Sequence, residues 1–146
     1  MPTVQDILGS KESNHVFTIA PTASVLDAVE AMNNRRVGAL LVTQDGMLAG
    51  IFTERDVLQR VIGAMRRPSS TTVNEVMSRD VITVTPETDI DEVSSLMQQR
   101  RIRHVPVVDR ARGLIGMVSI GDLNAVHASH REAALTYLND YVYGRA

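Results

Sequence analysis

Two stretches of this chain put a hydroxyl residue at the end of an apolar run, with a carboxylate three positions later. They are Gly50-Ile51-Phe52-Thr53-Glu54-Arg55-Asp56 and Gly116-Met117-Val118-Ser119-Ile120-Gly121-Asp122. Each alone reads as the capping box of a helix N-terminus. Each also suits a second task. A strand that turns into a helix aims free backbone N–H groups and the positive end of the helix at one point, which favours a phosphate. The hydroxyl can donate to a phosphate oxygen, and the carboxylate can accept from two neighbouring ribose hydroxyls. The same geometry serves capping and binding, and here it occurs twice in register.

The elements that would position these residues are themselves repeated. Val16 to Pro21 aligns with Val81 to Pro86, Met32 with Met97, Arg35-Arg36 with Arg100-Arg101, and Val42 with Val107. After a one-residue insertion in the second copy, Leu48 aligns with Leu114, Gly50 with Gly116 and Asp56 with Asp122. Self-similarity over this length marks a repeated supersecondary unit. Each copy reads as a short helix capped by Thr3/Asp6 or Thr72/Glu75, then a β-rich run ending at Pro21 or Pro86. An amphipathic helix follows, with Val25, Ala28 and Met32 or Ile90, Val93 and Met97 as its stripe. Two strands come next, Ala39–Thr43 with Leu48–Phe52, and His104–Val108 with Leu114–Val118. Asp45-Gly46 supplies a turn, and a helix from about Glu54 or Ile120 closes each copy.

Such a unit is too small to bury both faces of its sheet alone, so the two copies are expected to pack about a pseudo-twofold axis. The fold class is α/β (α+β), two tandem β-α-β-β-α repeats plus a C-terminal helix. The first repeat spans residues 1–62, a linker 63–72, the second repeat 73–128 and a helical tail 129–146. Lys11 to Asn14 reads as a solvated loop.

Composition narrows the function classes. The chain has 146 residues, 44% hydrophobic and 22% charged, with a net charge of −2. Arg35-Arg36, Arg66-Arg67 and Arg100-Arg101-Arg103 are balanced by acids, which disfavours a general nucleic-acid surface. With no cysteine, disulfides, thiolate catalysis and cysteine-ligated zinc are excluded. Met1 to Asp6 lacks a basic patch followed by an apolar run, and no apolar stretch is long enough for a membrane span. A cytoplasmic protein without membrane or nucleic-acid partners is expected.

With Arg100 to Asp109, Gly113 to Asp122, Gly38 to Val42 and Gly50 to Asp56 in view, the chain resembles the cystathionine β-synthase (CBS) domain family, in its small stand-alone tandem form, the Bateman module. The resemblance covers Thr3 to about Val126 apart from the linker. It implies a regulatory module rather than an enzyme. It further implies an adenosine-containing ligand (AMP, ADP, ATP, NAD(H) or S-adenosylmethionine) in the cleft between copies, a homodimer, and a protein partner that receives the signal. Crossed sites are implied, each taking its early strands from one copy and its hydroxyl-x-x-Asp from the other. One would use Thr83, Arg103, His104, Val105, Pro106, Ile51, Thr53, Arg55 and Asp56. The other would use Thr18, Gly38, Ala39, Leu40, Met117, Ser119, Gly121 and Asp122. Backbone near 38–40 and 103–106 would read the adenine edge, with Ile51 and Met117 against its face.

The first set gathers Arg55, Arg103 and His104 as phosphate partners. The second has Gly121 for Arg55 and Gly38-Ala39 for Arg103-His104. Unequal sites are therefore expected, with the arginine-rich one preferring phosphorylated ligands. Two rivals stand beside this reading. A nucleotide-processing enzyme would need a nucleophile or metal cluster, and Asp56 and Asp122 have no evident acid–base partner. A purely structural dimerisation module would use the motifs only as caps. His127 and His130 read as a solvated helix start, and the paired arginines as favourable charges at helix C-termini.

Overall fold

The computed structural model of the chain describes residues 2–11 and 16–129. Helix α1 spans Val4–Ser10, strand β1 Thr18–Ile19 and helix α2 Val25–Arg35. Strands β2 (Ala39–Gln44) and β3 (Met47–Thr53) follow. Helix α3 (Glu54–Asp56) runs directly into a π-helical stretch, Val57–Ile62. After a 3-10 turn at Pro68–Ser70 come α4 (Val73–Val76), α5 (Ile90–Arg100), β4 (His104–Asp109) and β5 (Gly113–Ser119). A last helix, α6, occupies 120–129. The expected tail helix lies beyond residue 129, outside the described residues.

Local chemistry explains the elements. Ser24 caps α2, its Oγ accepting from the Asp27 N–H at 3.0 Å, and Asp89 caps α5 in the same way through Asp91. Both helices end on an arginine in the left-handed region, Arg36 (φ 55°) and Arg101 (φ 54°), which turns the chain toward the next strand. The β2–β3 connection is the two-residue turn Asp45-Gly46 with both φ positive, the geometry that matches strand twist. The β4–β5 hairpin takes three residues and a positive-φ Gly113 instead. That longer turn is the one-residue insertion of the second copy. Both hairpins carry a register shift at the same place, between Val42 and Thr43 and between Val107 and Val108.

Strand β1 pairs parallel to β2, which pairs antiparallel to β3. The second sheet holds β4 and β5. Its expected early strand is reduced to one parallel bridge, Val84 to Val107.

The first helix of each copy packs in the other copy's core. Val4, Ile7 and Leu8 of α1 are buried with Val84, Ile90, Val93, Val105 and Val118. Val73, Val76 and Met77, on and just after α4, are buried with Val25, Ala28, Leu40 and Phe52. Backbone bonds fix the exchange: Val4 and Gln5 donate to Thr88 and Pro86, while Val73 and Asn74 donate to Ala23 and Pro21. A third cluster, Ala39, Leu41 and Ile51 with Leu114 and Met117, joins the two copies. Each sheet thus gains a covering helix that its own copy cannot provide.

Candidate functional site

Both strand-to-helix junctions form the expected capping boxes. At the first, Asp56 Oδ2 accepts from the Thr53 N–H at 3.0 Å and from the Thr53 hydroxyl at 3.2 Å, and Thr53 Oγ1 accepts from the Asp56 N–H. At the second, Asp122 Oδ2 accepts from the Ser119 N–H at 2.8 Å, and Ser119 Oγ accepts from the Asp122 N–H at 3.1 Å. Each junction is closed by a bond across its own copy, Glu54 N–H to the Gly38 carbonyl and Ile120 N–H to the Arg103 carbonyl.

Beyond that shared frame the junctions differ. Asp56 is only 5% exposed. Its Oδ1 accepts from the Ser78 hydroxyl at 3.3 Å, and the Arg60 guanidinium stands 3.7 Å away. Ser78 and Ile51 also exchange both backbone hydrogen bonds at 2.9 Å. Ile51, expected against an adenine ring, is buried between the sheets. The cause lies in the preceding helices. Aligning α4 with α1 puts Ser78 where the first copy has Gly9. Helix α4 stops at Val76 and the chain runs extended over β3, whereas α1 continues to Ser10. Among the described residues no such strap crosses Met117.

Lys11 takes that place at the second junction. Its Nζ donates to the Met117 carbonyl at 2.9 Å and to Asp122 Oδ2 at 3.1 Å. Lys11 itself departs from the expectation of a solvated loop, being half-buried and bonded across 111 positions of chain, while Glu12 to Asn14 lie outside the described residues. Asp122 Oδ1 carries no hydrogen bond among the described residues.

Beside Lys11 opens a cleft of about 350 Å³. Gly38 and Ala39 at the start of β2 form one wall, and Met117 and Ser119 of β5 face them from the other copy. Val16, Phe17 and Arg36 complete it on the first copy's side. A wider groove, about 720 Å³, continues past Lys11 and Asp122 between α1 and α6. Four residues of the expected set, Gly38, Ala39, Met117 and Ser119, thus face one another across the copies, while Asp122 lines the wider groove. Leu40 belongs to the core beneath, exposed Thr18 follows Phe17 along the chain, and Gly121 is exposed at the start of α6.

Of the arginine-rich set, Arg55 reaches the second copy, its Nη1 donating to the Arg101 carbonyl at 2.8 Å. Val105 and Pro106 are buried, while Thr83 and Arg103 are exposed. His104 lines the 350 Å³ cleft, not the junction at Asp56 to which it was assigned. It starts β4 as Ala39 starts β2, so both residues reach the same cleft. Burial holds its imidazole below the ordinary 6.5. Arg103 and Lys11 push in the same direction, and Glu54 and Asp122 oppose it. Sequence reasoning missed Lys11, Phe17, Arg36 and Ser78. The mismatch of Ser78 against Gly9 was a usable signal, as was the fact that Lys11 is the only lysine in the chain. Arg35 stacks over the Phe17 ring at 4.4 Å.

The family model for the CBS domain matches residues 4–63 and again 73–128. The chain belongs to the CBS domain family. This CBS pair is 47% identical to the mitochondrial CBS domain-containing protein CBSX3 of Arabidopsis thaliana, over 97% of this chain and 72% of the relative. Among solved structures, a CBS-domain protein from Burkholderia ambifaria MC40-6 superimposes with a TM-score of 0.85 at 38% identity, covering 88% of this chain and 95% of the other. The CBS domain pair of protein MJ0100, in complex with 5′-methylthioadenosine and S-adenosyl-L-methionine, gives a TM-score of 0.75 at 28% identity over 86% and 99% of the two chains. No helix among the described residues is long and apolar enough to cross a membrane.

Proposed function

We propose that this CBS pair is a sensor that binds one adenosine nucleotide per chain, in the cleft between β2 and β5, and signals occupancy to a protein partner. The observation that carries the reading is the contrast between the two junctions. Among the described residues Asp122 keeps a free oxygen, on the groove that meets the cleft at Lys11, while Asp56 is sealed by Thr53, Ser78 and Arg60. This reverses the preference expected from the count of arginines. In the occupied cleft, backbone at Gly38 to Leu40 reads the adenine edge, Met117 lies on its face and Asp122 accepts from the ribose hydroxyls. Lys11, Arg36 and His104 offer cationic or donor groups to phosphate. The adenosine-derived ligands bound by the pair from MJ0100 support this ligand class.

Asp122 is held by a lysine and a backbone N–H, which suits an acceptor of ribose protons rather than a catalytic base. The assembly we propose is a homodimer through the stripe Leu58, Ile62 and Met65, all exposed on and after the π-helical stretch. The deciding experiment is thermal denaturation with AMP, ADP, ATP, NAD, NADH and S-adenosylmethionine, followed by calorimetric titration of whichever stabilises. A ligand at about one hundred times its Kd adds about 2.7 kcal/mol. Stabilisation with one ligand per chain is expected. No shift with any member of the panel would leave the capping boxes as purely structural devices.

A further inference from the structure

Lys11 is the chain's only lysine, and its ammonium sits on the carboxylate that the proposed function gives to the ribose. Its contacts, Asp122 Oδ2 and the Met117 carbonyl, both belong to the second copy, whereas Lys11 follows α1 of the first. The cleft and the wider groove both touch this side chain, so a molecule entering either one meets it. A ribose can take the free Oδ1 of Asp122 with one hydroxyl, and its neighbouring hydroxyl then competes with the lysine for Oδ2. The displaced ammonium then needs another anion, because an unpaired half-buried charge is costly.

We propose that Lys11 is the specificity-determining residue of this cleft, selecting ligands that carry an anionic group on the ribose 5′ carbon over those that end there without charge or with a positive one. This rests on the ligand reading given above. A nucleotide repays the lost Lys11–Asp122 pair with a new charge-assisted bond to its phosphate. Adenosine brings no such anion. A sulfonium at the 5′ position adds repulsion between like charges. Arg36 and His104, which line the same cleft, act in the same direction as Lys11. Asp122 is bound by the ribose, and Glu54 contributes the remaining negative charge near His104.

The test is calorimetric titration of AMP and adenosine into the full chain and into Lys11→Met and Lys11→Arg. Methionine keeps the apolar stem and removes the charge, and arginine restores a cation. In the unsubstituted chain AMP should bind about tenfold or more tighter than adenosine, the value of one charge-assisted bond. Lys11→Met should cut that ratio severalfold, mainly by weakening AMP, with the remainder due to Arg36 and His104, and Lys11→Arg should recover most of it. An unchanged AMP-to-adenosine ratio in Lys11→Met, with both ligands still binding, overturns the role of Lys11 and leaves the nucleotide cleft standing. Absence of binding by both ligands to the unsubstituted chain overturns the cleft itself and this inference with it.

Discussion

Replacing Asp56 and Asp122 in turn separates a carboxylate that holds the fold from one that serves a ligand. Asp56→Ala removes a capping box, a loss of about 1 kcal/mol. It also leaves the Thr53 N–H and the Ser78 hydroxyl without their acceptor. Stranding these two part-buried donors adds about 1–3 kcal/mol. The total, about 2–4 kcal/mol, corresponds to a drop in Tm of roughly 4–16 °C for a chain of this size. The stabilisation by a bound nucleotide should persist in this variant. Asp122→Ala should do the opposite. Its carboxylate and Lys11 are both partly exposed, so the loss of fold stability, the cap at about 1 kcal/mol plus the unpairing of Lys11, should stay below that of Asp56→Ala. The nucleotide-induced shift should vanish. Differential scanning calorimetry with and without saturating AMP reads both quantities in one series. If Asp56→Ala keeps its Tm within a degree or two yet loses the AMP shift, the assignment of the two junctions is reversed and the argument from Ser78 fails.

Two further outcomes follow from named residues. Burial depresses the His104 pKa in the folded state below 6.5, so the unfolded chain binds the extra proton first as pH falls. Stability should therefore be full above about pH 6.5 and decline as pH drops toward the folded value, and His104→Gln should flatten that slope in urea titrations between pH 8 and pH 5. An equal slope in the variant would remove His104 from the account. Sedimentation velocity should show a dimer that Leu58→Glu combined with Ile62→Glu converts to a monomer, and a double variant that stays dimeric would place the interface elsewhere.

What was legible in the sequence was local. The four capping boxes at Thr3, Thr53, Thr72 and Ser119 need only a hydroxyl and a carboxylate three residues apart. The hairpins need only alternation and a turn residue such as Gly46. The repeat showed that the units come in a pair. What stayed hidden depends on chain segments far apart. Lys11 meets Asp122 only because α1 crosses to the other copy. Ser78 meets Asp56 only because α4 ends one turn sooner than α1. Counting arginines around each motif therefore favoured the junction at Asp56, where Arg55 is directed to the Arg101 carbonyl, Arg103 is exposed, and the uncounted Arg60 is taken up by the Val76 and Met77 carbonyls and the Asp56 carboxylate. The π-helical stretch after Asp56 was also invisible, since six residues are too few for its wider i→i+5 winding to show as a periodicity.

The crossing of α1 and α4 also shapes the birth of the protein. Helix α1 leaves the ribosome first, yet the strands it must cover, β4 and β5, end more than a hundred residues later. At ordinary rates of synthesis the wait is roughly 5–20 s. During that interval Val4, Ile7 and Leu8 have no core to join, and a seven-residue helix is too short to persist alone. The first sheet waits a shorter time, only until Val73 to Met77 arrive. The first half can therefore close before the second sheet is made, and α1 docks last, when that sheet is in place.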